Sequence, residues 1–391
     1  MDESGLVRIA AAQVGLGAVV LILAISCWFA TAAAMPSLTA ALGLDDSGRV
    51  VLIAVVQAGF AVGAVAAGLA RLSDRFAPRV LIPAACVATA AATVLPLVAP
   101  SNLAVLLVSR FLVGLLLAGV YPSGMRAIVS WAPPRWSGLA VAGAVAALTV
   151  GTAAPYLLDA TPVSDWRHVF ITCAIAAMFA AVCALGLRTG PHAAQAARSV
   201  DPSTVHPLKN PAQRRVTVAY VAHMWEVYGL WVWLPALLAT IPALTGSLGL
   251  MSFLIIGVAG AAGCVLGGSL AARFGKRTVA RWSVAVSALC VLATPLLPVL
   301  PVIVALVLLS VWSITAISDS PLYSALLGDE SPGSRVGSAI ALQMGIGYFV
   351  SIGAIYVVNI VGVAVGWQWA FLVLAPGPIV SFWALRKRVS A

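Results

Sequence analysis

The stretch Gly268-Ser-Leu270-Ala-Ala272-Arg273-Phe-Gly275-Lys276-Arg277 follows a long apolar run and repeats a stretch found about 200 residues earlier. The earlier stretch reads Ala70-Arg-Leu72-Ser-Asp74-Arg75-Phe-Ala77-Pro-Arg79. Another landmark, Pro36-Ser-Leu38, recurs at nearly the same offset as Pro235-Ala-Leu237. An offset that stays nearly fixed over half a chain is the mark of a repeated structural unit. The sequence therefore predicts two related halves.

Together the two loop stretches resemble the G-x-L-a-D-r-x-G-r-k loop of the major facilitator superfamily, which lies between helices 2 and 3 and again between helices 8 and 9. That family moves solutes across membranes with parallel repeats of six helices about an axis normal to the membrane. The resemblance implies an all-α integral membrane protein with twelve transmembrane helices in two pseudo-symmetric six-helix bundles. The Pro-rich, basic stretch 189–215 then reads as a cytoplasmic linker between bundles at residues 1–188 and 216–391.

Composition points to a membrane independently of the repeat. Apolar residues make up 62% of the 391 residues and charged residues 9%, against roughly 45–50% and 25% in soluble domains. A bilayer takes about 20 apolar residues per helix, and only helices or closed barrels satisfy backbone groups in lipid. The apolar runs are too long for barrel strands. Twelve stretches are candidate spans: 10–38, 50–69, 80–99, 102–125, 137–158, 167–187, 216–240, 247–270, 279–299, 302–327, 336–361 and 368–385.

The placement of charge predicts the orientation of these helices. With a cytoplasmic N-terminus, 19 Lys and Arg side chains fall on the cytoplasmic side and only Arg49 and Arg167 on the other side. This bias follows the positive-inside rule. We predict a multi-pass protein of the bacterial cytoplasmic (inner) membrane with both termini in the cytoplasm. Topology accounts for the net charge of +10, so we expect the lipid bilayer and no nucleic acid as its surroundings.

The resemblance also implies gating residues in the loops. In the family, the loop carboxylate holds a contact at the cytoplasmic end of a neighbouring helix and favours the outward-facing state. Asp74 matches that carboxylate, and Arg75 and Arg79 match the flanking basic positions. The second loop has Ala272 instead of the acid. The alternative for the basic residues is that they anchor the loops to anionic lipid.

Few ionisable side chains lie within the predicted helices, where such groups tend to mark substrate or proton pathways. They are Arg110 in helix 4, His223 and Glu226 in helix 7, and Asp319 in helix 10. The resemblance implies that helices 1, 4, 7 and 10 line the central cavity. His223 and Glu226 are three residues apart and share a helix face. We predict Glu226 as the proton-coupling group and His223 as its modulator; the alternative is a static hydrogen-bonded pair that fixes helix packing.

The two remaining charges have competing interpretations. Arg110 and Gly114 resemble the family's helix 4 motif with its buried arginine. That arginine either attracts an anionic substrate, tunes a neighbouring acid, or is capped by backbone carbonyls. Asp319 lies two residues before Pro321, which weakens the helix, and we predict a gate or a partner for Arg126.

Uncharged side chains complete the predicted cavity. Those expected to shape it include Trp28, Tyr228, Gln57 and Gln343. Trp231 lies far enough outward to belong to the interfacial aromatic belt instead.

These observations favour a secondary transporter that imports a small anionic or polar metabolite by alternating access. We expect a monomer with the proton as coupling ion. The alternative is proton-driven efflux of amphipathic drugs or toxic compounds, although the antiporter signature G-x-x-x-G-P-x-x-G-G is absent from helix 5.

Ala118–Met125 is similar to the nitrate, nitrite and cyanate permease branch of the family. However, Val50–Leu69 and Ser247–Leu270 lack the arginines that nitrate porters use in helices 2 and 8. The sequence has no metal cluster, nucleophile triad or phosphate loop, so we predict neither an enzyme nor a cofactor.

Overall fold

The computed structural model describes residues 3–70, 72–159, 165–193, 210–331 and 336–386. Each of the twelve predicted stretches forms a helical segment within these residues. The segments are 1 (Glu3–Ile25, Ala30–Ala33, Met35–Leu42), 2 (Asp46–Leu69), 3 (Pro78–Val94, Leu95–Val98), 4 (Leu103–Val129), 5 (Ser137–Ala153, Pro155–Asp159), 6 (Trp166–Ala184), 7 (Pro211–Leu238), 8 (Leu248–Ser252, Phe253–Ala259, Gly260–Phe274), 9 (Lys276–Leu292, Thr294–Val299), 10 (Val302–Ser318, Ser320–Asp329), 11 (Val336–Val365) and 12 (Trp367–Ala370, Phe371–Leu374, Pro376–Ala384). The rest of the described chain contains only short helices and turns.

Nine helices in the described part of the chain are long and apolar enough to cross a membrane. Segments 7, 9 and 12 are not among them. Segment 7 begins at Pro211, so the last five residues of the predicted linker 189–215 are helical. Residues 194–209 of that linker lie outside the described residues.

Short polar side chains start four of the segments. Asp45 accepts a hydrogen bond from the Gly48 N–H at 2.7 Å, and Asn102, Asp165 and Asn210 cap segments 4, 6 and 7 in the same way. The first N–H groups of a helix have no partner within it, so a capping oxygen stabilises the start. The local sequence therefore determines where these four segments begin.

Glycine allows the same close helix crossing in both halves. A Cβ atom on Gly59 or Gly114 would lie 2.1 or 2.0 Å from a carbonyl oxygen of the facing helix, so segments 2 and 4 touch backbone to backbone. Gly263 and Gly267 bring segments 8 and 10 together in the same way, against Ile314 and Ser318. Small residues at such crossings are how membrane helices pack without a hydrophobic driving force. Corresponding segments of the two halves thus cross through matching glycines.

The halves meet mainly through segments 2 and 11 and through segments 5 and 8. We call the side that carries the loops with Arg75, Arg135 and Lys276 the basic face. Near it, a Cβ atom on Gly68 would lie 2.8 Å from Ala341 Cβ across the interface. Towards the opposite face, the Tyr156 hydroxyl donates to the Trp231 carbonyl at 3.2 Å. The two halves therefore touch towards both faces of the protein.

Candidate functional site

A small cavity lies between the halves. The volume available to the centre of a water molecule is about 40 Å³. Its wall comes from segments 4, 5, 7, 10 and 11 and includes Tyr121, Tyr220, His223, Tyr228, Trp231 and Tyr348. A larger cavity of about 810 Å³ lies nearer the basic face and shares Val141 and Pro321 with it. The expectation that segment 1 lines the centre is wrong for this cavity, since segments 5 and 11 take that place.

His223 and Asp319 form a buried pair at the wall of this central cavity. His223 Nδ1 lies 3.0 Å from Asp319 Oδ1, and each side chain is 1% exposed. The contact lies within ion-pair distance but does not meet the geometry of a hydrogen bond. Both imidazole nitrogens therefore have no hydrogen-bond partner among the described residues. A buried polar group of this kind is expected to have a ligand or water as its partner.

Asp319 accepts a hydrogen bond from a tyrosine, which is in turn hydrogen-bonded to a serine. The Tyr323 hydroxyl donates to Asp319 Oδ2 at 2.7 Å, and Ser381 Oγ lies 2.5 Å from the same hydroxyl. Because the tyrosine proton is already donated, Ser381 is the donor of the second bond. Asp319 itself is the residue at which segment 10 breaks, between Val302–Ser318 and Ser320–Asp329. The structure thus pairs Asp319 with His223, and the predicted pairing with Arg126 is wrong.

Glu226 lies on the same helix as His223 but belongs to a separate contact. Its Oε1 accepts hydrogen bonds from Ser287 Oγ and, at 2.8 Å, from Trp312 Nε1. The side chain is 1% exposed and does not line the central cavity. Glu226 therefore joins segments 7, 9 and 10 inside one half. The direct contact predicted between His223 and Glu226 is replaced by two different partners, one for each residue.

Arg110 is fully buried inside the first half and not at the central cavity. Its Nη2 donates to the Thr93 carbonyl at 3.2 Å and to Ser109 Oγ at 2.9 Å. The guanidinium carbon lies 4.3 Å from the centre of the Phe170 ring, a cation–π contact. Of the alternatives, carbonyl capping agrees with this geometry. The expectation that Arg110 faces a substrate in the central cavity is wrong.

The predicted aromatic residues form one cluster beside the cavity. The ring of Trp28 lies 4.4 Å from Phe60, 5.4 Å from Tyr348 and 6.1 Å from Tyr228, measured between centroids. Tyr228 and Tyr348 line the cavity, whereas Trp28 lies behind them. Trp231 is 1% exposed and lines the cavity, so its assignment to the interfacial belt is wrong.

The two predicted amides lie elsewhere. Gln57 and Gln343 are buried but absent from the cavity wall. Both have side-chain atoms without a hydrogen-bond partner in the described part of the chain, on segments 2 and 11. The prediction that they shape the cavity is therefore wrong for this conformation.

The first loop contacts the end of segment 4. Arg126 donates to the Ser73 carbonyl at 2.6 Å, and Ser73 Oγ lies 2.9 Å from Ser123 Oγ. Arg75 and Arg79 are exposed. Asp74 belongs to the short helix Leu72–Arg75, but its side chain lies outside the described part.

The second loop contacts the end of segment 10 through ion pairs. Lys276 Nζ lies 2.7 Å from Asp329, and Arg277 Nη2 lies 2.5 Å from Glu330. The two loops therefore contact equivalent helix ends through different groups: in the first half Arg126 on the helix donates to a loop carbonyl, and in the second half acids at the helix end pair with basic loop residues.

Sequence reasoning missed four residues of the buried network: Tyr323, Ser381, Ser287 and Trp312. Only Tyr323 carried a signal, because it lies four residues after Asp319 and so shares its helix face. The other three come from different segments, and their spacing in the chain contains no information about contact with a carboxylate.

Comparisons with known proteins agree with this architecture. Residues 17–355 match the sequence profile of the Major Facilitator Superfamily. No curated protein sequence was found to match the chain. The structure of the proton:xylose symporter XylE bound to 6-bromo-6-deoxy-D-glucose is similar over 95% of this chain and 95% of that chain, with 14% identity and a TM-score of 0.70. The human organic anion transporter MFSD10 (TETRAN) is similar over 97% and 99%, with 18% identity and a TM-score of 0.68.

At these identities the two solved structures show the fold alone. The similarity of Ala118–Met125 to the nitrate, nitrite and cyanate permease branch stays a prediction. The profile match covers most of the chain, from segment 1 into segment 11. The repeated loops of the chain, its apolar helices and the helix crossings at glycine in both halves agree with that match. The chain therefore belongs to the Major Facilitator Superfamily and is a membrane transporter, not an enzyme.

Proposed function

We propose that the protein is a proton-coupled secondary transporter of a small organic solute and that His223 and Asp319 carry the proton. The observation behind the proposal is a titratable pair, each side chain 1% exposed, at the wall of the cavity between the halves. Adding or removing a proton changes the net charge of this pair. In the buried interior of a membrane protein an uncompensated charge is energetically unfavourable. Asp319 is also the break in segment 10, so the change acts on a joint between two helices.

The geometry favours Asp319 over Glu226 as the proton-carrying acid. Glu226 has two hydrogen-bond donors and lies behind the cavity wall. Asp319 touches His223, whose ring reaches the cavity. We therefore assign Glu226 to the packing of segments 7, 9 and 10, with Ser287 and Trp312 as its partners in place of His223.

Isosteric variants in proteoliposomes test this assignment. Vesicles that contain a pH-sensitive dye report proton movement when sugars, amino acids, carboxylates or amines are added outside. We expect Asp319→Asn to abolish proton movement coupled to the active solute while solute exchange persists. Glu226→Gln should retain coupling, and Asp46→Asn, at a carboxylate that is 44% exposed, serves as the matched control. Loss of coupling in Glu226→Gln with normal coupling in Asp319→Asn would refute the assignment.

The sign of the pH change distinguishes the two candidate directions. We propose uptake, in which the solute enters together with a proton and the vesicle interior becomes acidic. Efflux by exchange is the second candidate, since Met125, Met224 and Met344 give the cavity an adaptable apolar wall that suits amphipathic compounds. Exchange makes the interior alkaline when the same solute is added outside.

We propose that the basic face lies in the cytoplasm and that the protein works as a monomer in a bacterial inner membrane. The support is the charge bias of the sequence, which predicts both termini on that side. A fluorescent-protein fusion at the C-terminus should fluoresce in cells, since such fusions mature on the cytoplasmic side. Light scattering of the purified protein should give the mass of one chain, 40.0 kDa, after correction for detergent.

We propose a gating role for the two loop contacts on this face. The contacts of Ser73 with Arg126 and of Lys276 with Asp329 join each loop to the end of a helix that must move when the face opens. Asp74, Arg75 and Arg79 keep the gating role implied by the family resemblance. Charge reversal at Asp74 should shift cysteine accessibility at the basic face towards the open state, and unchanged accessibility would contradict it.

A further inference from the structure

We propose that the central cavity binds an organic cation with an apolar body, an inference that rests on the transport function proposed above. The wall of the cavity is rich in aromatic rings. Tyr121, Tyr220, Tyr228, Trp231 and Tyr348 all contribute to it. The faces of such rings carry negative potential and attract cations, most strongly when water is excluded.

The charges around the cavity point to the same class of ligand. No Lys or Arg belongs to the described wall. Two carboxylates lie behind it, on Asp319 and Glu226, and each is 1% exposed. The only basic group at the wall is His223, which already lies 3.0 Å from Asp319.

An anion in this cavity would lose its water without gaining a basic partner. Burying a charge is costly unless it is paired, and the nearby carboxylates would repel it. Arg110, one of the candidate anion partners predicted from the sequence, contacts Phe170 and Thr93 away from this cavity. A cation instead gains the ring faces and the attraction of the carboxylates, and Nε2 of His223, which has no hydrogen-bond partner among the described residues, is available to a polar group of the ligand.

The apolar part of the ligand follows from the rest of the wall. Three methionines and several branched aliphatic side chains complete the cavity, and only two of its wall residues are serines. Methionine is flexible and polarisable and adapts to ligands of varied shape. In this conformation the cavity is smaller than such a ligand, so entry requires the halves to separate, as alternating access does.

Three probes that share a phenylethyl group, one cationic, one neutral and one anionic, test the inference. They are 2-phenylethylamine, 2-phenylethanol and 3-phenylpropanoate, and calorimetry on the full-length protein in detergent gives each dissociation constant. We expect the amine to bind at least tenfold more tightly than the alcohol and the acid to show no saturable binding. Equal affinities for amine and alcohol, preference for the acid, or no binding of any probe would overturn the proposal.

Substitutions at Tyr348 test whether the preference for the amine over the alcohol arises in the central cavity. Tyr348→Phe keeps the ring face and should preserve the ratio of amine to alcohol affinity within about twofold. Tyr348→Leu removes the face and should lower that ratio at least threefold. Trp383→Leu, on the exposed outer surface, is the control and should change nothing. A ratio that is the same in all three variants means that the amine binds elsewhere, which refutes the proposal.

This test separates the ligand class from the transport mechanism. Binding in detergent needs neither a proton gradient nor transport. If the coupling assignment fails, the amine still binds but Asp319→Asn vesicles show normal proton movement. If the ligand class fails, a solute other than an amine drives proton movement while the order of probe affinities is wrong.

Discussion

The substitution Gly114→Ala tests whether the backbone contact between segments 2 and 4 holds the first half together. The added Cβ atom would lie 2.0 Å from the Val56 carbonyl oxygen and 2.8 Å from the Phe60 nitrogen. Contacts of a Cβ atom below 3.0 Å essentially never occur, so the helices must move apart by about 1 Å. Neither neighbour is a flexible side chain that can turn away. We expect a loss of about 1–3 kcal/mol in the free energy of unfolding, the usual cost of overpacking.

Reversible unfolding by SDS in mixed micelles, followed by circular dichroism, measures this free energy. Gly119→Ala on the same helix is the matched control, because its Cβ atom would lie an ordinary 3.5 Å from Ala85 Cβ. That variant should be as stable as the parent or more stable, since Ala favours helix over Gly by up to about 1 kcal/mol. If Gly114→Ala is as stable as Gly119→Ala, the close crossing does not limit packing and the reasoning is wrong.

Three further predictions concern single contacts. Trp312→Phe removes a donor from the buried carboxylate of Glu226 and should cost about 1–3 kcal/mol in unfolding free energy, whereas Trp383→Phe on the exposed surface should cost little; equal losses would contradict the contact. A double-mutant cycle on Lys276 and Asp329 should give a coupling energy of about 0.2–1 kcal/mol that disappears at roughly 1 M salt, and a salt-independent value would show that the pair is not solvent-screened. The Gly48 N–H holds the pKa of the exposed Asp45 carboxyl below its usual range, so its capping contribution is present above the ordinary pKa and is lost as pH falls through the lowered value. Hydrogen exchange at the Gly48 amide should therefore show a pH-dependent loss of protection in the parent that is absent in Asp45→Asn.

The helical segments can be predicted from local sequence because the interactions that start and end a helix involve residues close together in the chain. The caps at Asp45 and Asn102 and the turn at Pro321 act within a few residues. The glycines at 59, 63 and 114 indicate close packing because only a missing side chain permits it. The prediction of twelve helical stretches followed from local features of the sequence.

The contacts of the buried charges were predicted poorly because a helix that is apolar on all sides does not indicate which side faces its neighbours. Arg110 could turn to the central cavity or to segments 3 and 6, and nothing in segment 4 distinguishes the two. His223 and Asp319 come from different segments, so their contact depends on the rotation of both helices. Glu226 was placed correctly on segment 7, yet its partners Ser287 and Trp312 are 61 and 86 residues away.

The sequence by itself determined that this protein spans a membrane as two related sets of helices with a basic face. Hydropathy, charge bias and repetition accumulate along the chain and do not depend on how the helices are arranged. Only the tertiary structure decided that His223 meets Asp319, that Arg110 is withdrawn from the centre, and that aromatic rings surround the cavity. The crossing and rotation of whole helices set these contacts, and those depend on all the helices packing together at once.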